Sequence, residues 1–148
     1  MIALGADHGG FQLKNAIKKH LESKGIACKD FGTNSKESVD YPNFALAVAK
    51  SVKSGECSEG ILCCGTGIGI SIAANKVPGI RAAVVGDVYS AKMTKEHNNS
   101  NILCLGERVI GEGLALMIVD TWLEANYAGA HHQKRLDLLA EIENTKWC

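Results

Sequence analysis

The chain has no surplus of either charge. Sixteen Lys and Arg residues balance sixteen Asp and Glu over 148 residues, and the formal net charge is zero. Non-specific nucleic-acid binding draws on a basic excess, so that class is set aside and only a local basic patch stays open. No apolar run is long enough to cross a bilayer, so no membrane partner is expected. No charged segment followed by an apolar one precedes Met1-Ile2-Ala3-Leu4-Gly5. This reads as the absence of a signal peptide, and a cytoplasmic location is expected. The six cysteines, Cys28, Cys57, Cys63, Cys64, Cys104 and Cys148, include no CxxC and no paired zinc spacing. Most are expected as free thiols, with no metal and no cofactor. No low-complexity segment or linker divides the chain, and its length suits one domain over residues 1–148.

What is present is a regular alternation. Ile2 to Ala6 reads as a strand, followed by the loop Asp7-His8-Gly9-Gly10. Leu13, Ala16, Ile17 and Leu21 form a helical stripe over Phe11 to Lys24, stopped by Gly25. Ile26 to Phe31 is a second strand, and 32–40 is a polar loop. Pro42 suits the first turn of a helix ending by Gly55. Gly60 to Cys64 is the third strand, with a short helix behind it that Pro78-Gly79 closes. Ile80 to Val85 is the fourth strand. Asp87 is an N-cap for a helix to about Glu96. Asn101 to Leu105 is the fifth strand, followed by an amphipathic helix over Leu114 to Ala125. Residues 127–133 read as a loop, before a last helix at about 134–144. Five strand–helix units predict a parallel sheet with helices on both faces, a three-layer α/β/α sandwich. The expected strand order is 2-1-3-4-5, as in Rossmann/flavodoxin-like folds.

Ligands bind such sheets beyond the carboxyl ends of the strands, where the order reverses. Here that crevice lies between the first and third strands. Asp7 and His8 end the first. Ile61-Leu62-Cys63-Cys64-Gly65-Thr66-Gly67-Ile68-Gly69-Ile70-Ser71 runs out of the third through a glycine-rich turn. Successive backbone N–H groups in such a turn make an anion nest, to which a following helix adds its positive end. A thiol at that position, Cys64, is biased toward the thiolate that acts as base or nucleophile. The same turn also occurs for packing alone, and cysteine is a common core residue.

His97-Asn98-Asn99 reads either as a polar helix end or as a second set of site residues. The helix carrying it runs back about 13–15 Å across the sheet, away from Cys64 of its own chain. A catalytic His97 would therefore serve a neighbouring subunit, which makes a symmetric dimer with composite sites the expected assembly. Arg108 follows the fifth strand. His131, His132, Lys134 and Arg135 form a late basic cluster suited to one anionic group, such as a phosphate monoester.

Taken together, these segments resemble the sugar-phosphate isomerases that comprise type B ribose-5-phosphate isomerases and galactose-6-phosphate isomerase subunits. The carriers are Asp7-His8-Gly9-Gly10, Asp30-Phe31-Gly32-Thr33, Asp40-Tyr41-Pro42, the Cys64 to Ser71 segment, Ala74-Asn75-Lys76, Gly79-Ile80-Arg81-Ala82, Glu96-His97-Asn98 and Gly106-Glu107-Arg108-Val109. The resemblance implies metal-free interconversion of ribose 5-phosphate and ribulose 5-phosphate in the pentose phosphate pathway. It implies Cys64 as the base that moves a proton between C1 and C2, and His97 as the acid that opens the furanose ring. Asp7, His8, Tyr41, Asn98 and the turn Gly65, Thr66, Gly67, Ile68 and Gly69 become substrate contacts. Arg108, His131 and Arg135 face the phosphate. The assembly it implies is a homodimer or a tetramer. Some members carry a glutamate where this chain has Ile68, so the chain resembles the cysteine type.

One position departs from the pattern. His131 stands where an arginine is common, and imidazole lacks the guanidinium fork and a fixed charge. A six-carbon substrate such as allose 6-phosphate is therefore an alternative. A binding module for a nucleotide, flavin or sugar phosphate is a further one. The Gly65-x-Gly67-x-Gly69 spacing is one residue short of a dinucleotide fingerprint.

Overall fold

A computed structural model describes all 148 residues. The elements are β1 (Ile2–Ala6), α1 (Phe11–Ser23), β2 (Cys28–Asp30), α2 (Tyr41–Ser54), β3 (Glu59–Cys64), α3 (Ile68–Ala74), β4 (Ala82–Val84), α4 (Val88–Asn98), β5 (Ile102–Gly106), α5 (Glu112–Glu124) and α6 (His131–Asn144). All strand pairings are parallel. No helix is long and apolar enough to cross a membrane.

The strand order is β2-β1-β3-β5-β4, not the expected 2-1-3-4-5. Burial explains the exchange at the end. β5 (ILCLG) is buried at every position, whereas β4 (AAV) is partly exposed throughout. A strand buried on both faces belongs inside a parallel sheet, and the short, half-wet β4 takes the edge. The β1/β3 neighbourhood is unaffected, so the crevice stays where the order reverses.

The strand period of two divides the core between the two faces. Leu4, Ala6, Ile61, Cys63, Leu103 and Leu105 pack with the Leu13, Ile17 and Leu21 stripe of α1 and with Ile118 and Trp122 of α5. Ala3, Leu62, Cys64 and Cys104 pack with Ala45, Val48 and Ala49 of α2 and with Ile70 and Ala74 of α3. Adjacent Cys63 and Cys64 therefore face opposite layers.

α6 begins at His131, three residues before the expected 134. Its first turn closes with the His132 N–H on the Gly129 carbonyl and the Gln133 N–H on Ala130, just after two positive-φ residues, Gly129 and Ala130. That turn is polar, so hydrophobic periodicity, which starts at Leu136, does not reveal it. No residue of α6 is buried.

Candidate active site

The register brings three strand ends level: Ala6 of β1 lies beside Cys63 of β3, and Cys64 beside Gly106 of β5. The chain then leaves each strand under tight constraint. Asp7 is buried, and its Oδ1 accepts the backbone N–H groups of Gly9 (2.8 Å) and Gly10 (3.2 Å). This Asx turn needs glycine behind it. A Cβ on Gly10 would lie 2.3 Å from the Cys63 carbonyl carbon. The half-buried His8 accepts the Val39 N–H at Nδ1, 3.2 Å away. In the neutral ring the proton then sits on Nε2, leaving that nitrogen as a donor.

Cys64 is 5% exposed, and its Sγ accepts the Gly67 N–H at 3.0 Å. Gly67 has φ +79°, and a Cβ there would lie 2.9 Å from the Leu105 carbonyl carbon. The turn bends this way because glycine permits the left-handed region and the β5 backbone leaves no room for a side chain. α3, at seven residues, is short, so the turn amides are the donors at this point. The exposed Thr66 accepts the Ile68 N–H, and Ile68 itself projects outward, half exposed. The Tyr41 ring lies against Gly69, where a Cβ would sit 2.9 Å from the ring. Burial pushes the thiols of Cys63 and Cys104 up, out of reach of ionisation.

The β5–α5 loop is tied to the same place. Glu107 N–H donates to the Cys64 carbonyl and Arg108 N–H to the Gly65 carbonyl, both at 3.0 Å. A Cβ on Gly65 would lie 3.0 Å from Arg108 Nη1, so the guanidinium covers that glycine. Asp7, His8, Tyr41, Cys64, Arg108 and the Gly65–Gly69 turn thus stand together at the carboxyl edge.

His97, Asn98, His131 and Arg135 do not join them within the chain. Lys95 of α4 pairs with Glu59, the first residue of β3, whereas Cys64 is its last. At about 3.3 Å per residue, the length of β3, on the order of 16 Å, separates the two edges. Arg81, just before β4, donates its Nε–H to the carbonyls of Asn98 and Asn99 and fixes this end of α4 at the amino edge. There the rings of His97 and His132 stack 4.3 Å apart at 17°, and His131 lies tilted on His132 at 4.1 Å. Loss of solvent, then the neighbouring His131, His97 and Arg135, hold His132 below the ordinary imidazole range. A cavity of about 370 Å³, lined by Arg81, Asn98, Leu136 and Glu143 among others, lies on this amino-edge side under α6 and includes none of the Cys64 group.

Glu107 and Lys14 have no individual role from the sequence, and His132 has one only as a member of the late basic cluster. Glu107 Oε1 accepts the Leu13 N–H at 2.6 Å. Lys14, almost wholly buried, donates to Asp30 at 2.8 Å and to the Thr33 carbonyl, anchoring the chain between β2 and the 34–40 loop. His132 bridges His97 and His131. Each acts across elements; a charged residue at the head of an apolar stripe, as Lys14 is, was the only local signal.

The Ribose/Galactose Isomerase family model matches residues 2–139. Ribose-5-phosphate isomerase B of Escherichia coli K12 is 51% identical over 145 residues, covering 98% of this chain and 97% of that one. The structure of Clostridium thermocellum ribose-5-phosphate isomerase B superposes with a TM-score of 0.95 at 59% identity, covering 96% of each chain. That of the Mycoplasma genitalium ribose-5-phosphate isomerase B with bound ribulose 5-phosphate gives 0.93 at 40% identity, covering 98% and 97%. Matched almost end to end, with its glycine turn closed on a buried cysteine, the chain belongs to the ribose/galactose isomerase family.

Proposed function

We propose that this chain interconverts ribose 5-phosphate and ribulose 5-phosphate, with Cys64 as the proton-transfer base. The observation that carries the reading is the Gly67 N–H on Cys64 Sγ, in a turn of amides at the β1/β3 crevice. Proton removal alpha to a carbonyl needs a base at the carbon and donors at the oxygen where charge develops. Cys64 takes the C2 proton of the open-chain aldose and returns it to C1, and the enediolate formed between is held by N–H groups of the turn. His8 Nε2–H and the Asp7 carboxylate hold the sugar, Arg108 draws the phosphate, and Tyr41 and Ile68 wall the turn.

His97 supplies the acid for ring opening from a second copy of the chain, with Asn98, His131 and Arg135 beside it. The separation of the two edges within one chain supports a homodimer with shared sites. A second reading, a six-carbon sugar phosphate, rests on His131: a side chain shorter than arginine leaves more room and a weaker hold on the phosphate.

The test is turnover of ribose 5-phosphate by wild type and Cys64→Ala, with EDTA present. Loss of about 10²–10⁴ in kcat by a folded variant that still binds substrate supports the base assignment. Full activity in the variant overturns it. A wild type inactive on five-carbon but active on six-carbon phosphates moves the proposal to the second reading.

A further inference from the structure

α1 opens without a cap of its own. Its N-cap is Gly10, which has no side chain, and its first turn contains no acidic residue. The first N–H groups of a helix need acceptors, and a carboxylate there also meets the positive end of the helix dipole. The acceptor for Leu13 comes from 94 residues away: Glu107 Oε1, at 2.6 Å. Glu107 is also backbone-bonded to Cys64, and the next residue is Arg108. One side chain therefore joins the β5–α5 loop to the helix that starts directly behind Asp7-His8-Gly9-Gly10.

We propose that Glu107 is a positioning residue that sets the spacing between Arg108 and His8 across the crevice. The inference rests on the isomerase reading. Glu107 does not touch the sugar phosphate; it acts through the two loops it joins. The α1 loop has its own internal bonds, from Asp7 to Gly9 and Gly10. The β5 loop has its own, from Val109 and Ile110 to the Gly106 carbonyl, and Glu107 and Arg108 tie it to the β3 turn at Cys64 and Gly65. Each loop keeps its shape alone, while the distance between them depends on strand packing, on the backbone ties of each to β3 and on the one side-chain bridge that joins them directly. Gly9 and Gly65 meet at the same seam, where a Cβ on Gly9 would lie 3.1 Å from the Gly65 nitrogen. Loosening the bridge therefore weakens the grip on the two ends of the substrate before it disturbs Cys64 and Gly67, which sit within one turn.

The experiment compares kcat and KM for ribose 5-phosphate in wild type, Glu107→Ala, Glu107→Asp and Glu107→Gln, with calorimetric binding of the same ligand. Gln keeps an oxygen at the length of the Glu side chain. Asp keeps the charge but falls one methylene short. The expected result is KM and Kd raised about tenfold in Ala and Asp, kcat per folded enzyme within about twofold, and Gln restoring most of the loss. If Glu107→Ala does not fold, the Asp and Gln pair carries the comparison. Unchanged KM and Kd in Ala or Asp, a loss confined to kcat or folded fraction, or failure of Gln to rescue would overturn the proposal. A wild type that neither binds nor converts the sugar phosphate would instead overturn the isomerase reading, and this inference with it.

Discussion

Gly67 donates its backbone N–H to the sulfur of Cys64, three residues earlier in the same turn, at 3.0 Å. The bond exists because Gly67 sits at φ +79° with the β5 backbone against it. Gly67→Ala meets both the left-handed backbone penalty and a 2.9 Å contact to the Leu105 carbonyl carbon. The expected outcome is a loss of ~1–3 kcal/mol in stability. With Cys64 as the proposed base, displacing the donor to its sulfur also predicts a fall of about tenfold or more in kcat. Chemical denaturation and kcat per folded enzyme measure the two effects separately.

His97 and Cys64 belong to opposite edges of the sheet, which makes subunit mixing decisive. In the proposed homodimer, Cys64→Ala and His97→Ala alone are each expected to be inactive. Refolded together in equal amounts, half the dimers are mixed, and each mixed dimer holds one intact site. Activity should return to about a quarter of wild type if sites are shared between subunits. No recovery, with mixed dimers demonstrated by mass, would mean that each chain builds its own site.

Burial and its charged neighbours hold His132 below the ordinary imidazole range. As pH falls through about 6.5, the unfolded chain takes up this proton before the folded one does. Stability should therefore fall across the window from that value down to the lower folded-state one, with no contribution from this group at higher pH. The lowered carboxylate of Asp120, held by Lys24 and His20, loses its contribution only as pH falls below the carboxylate range, in a separate window. His132→Phe keeps a flat ring on His97 and removes the titration. Its melting temperature should fall less than that of wild type between pH 7 and pH 5.

Ala130 precedes α6 at φ 50°, ψ −130°, a region open to glycine and costly for alanine. Ala130→Gly is expected to stabilise the fold by about 1 kcal/mol. For a domain of this size that corresponds to roughly 2–5 °C in melting temperature. A lower melting temperature would show that chain entropy outweighs the relief of strain.

Much of the site was legible because its chemistry is packed into contiguous motifs. Asp7-His8 and Cys64 to Gly69 follow directly from strands whose apolar runs mark their ends, so topology alone brings them together. Glu107 and Lys14 were not legible as participants, and neither was the stacking of His132 on His97. Their partners lie on other elements, at separations that no local period encodes. The β4/β5 exchange was missed for a related reason. Alternation of strands and helices is the same in either order, and only the competition for the buried position separates them.

By itself, the sequence determined which segments become strands and helices, because hydrophobic period and turn residues act within a few positions of one another. It also determined that a thiol ends the third strand at the head of a glycine turn. The tertiary structure decided which strands are central, since burial on both faces is settled only when all five compete for the sheet. It decided, too, that His97 stands across the sheet from the Cys64 of its own chain. That separation is a length in space, set by the rise of α4 and the span of β3.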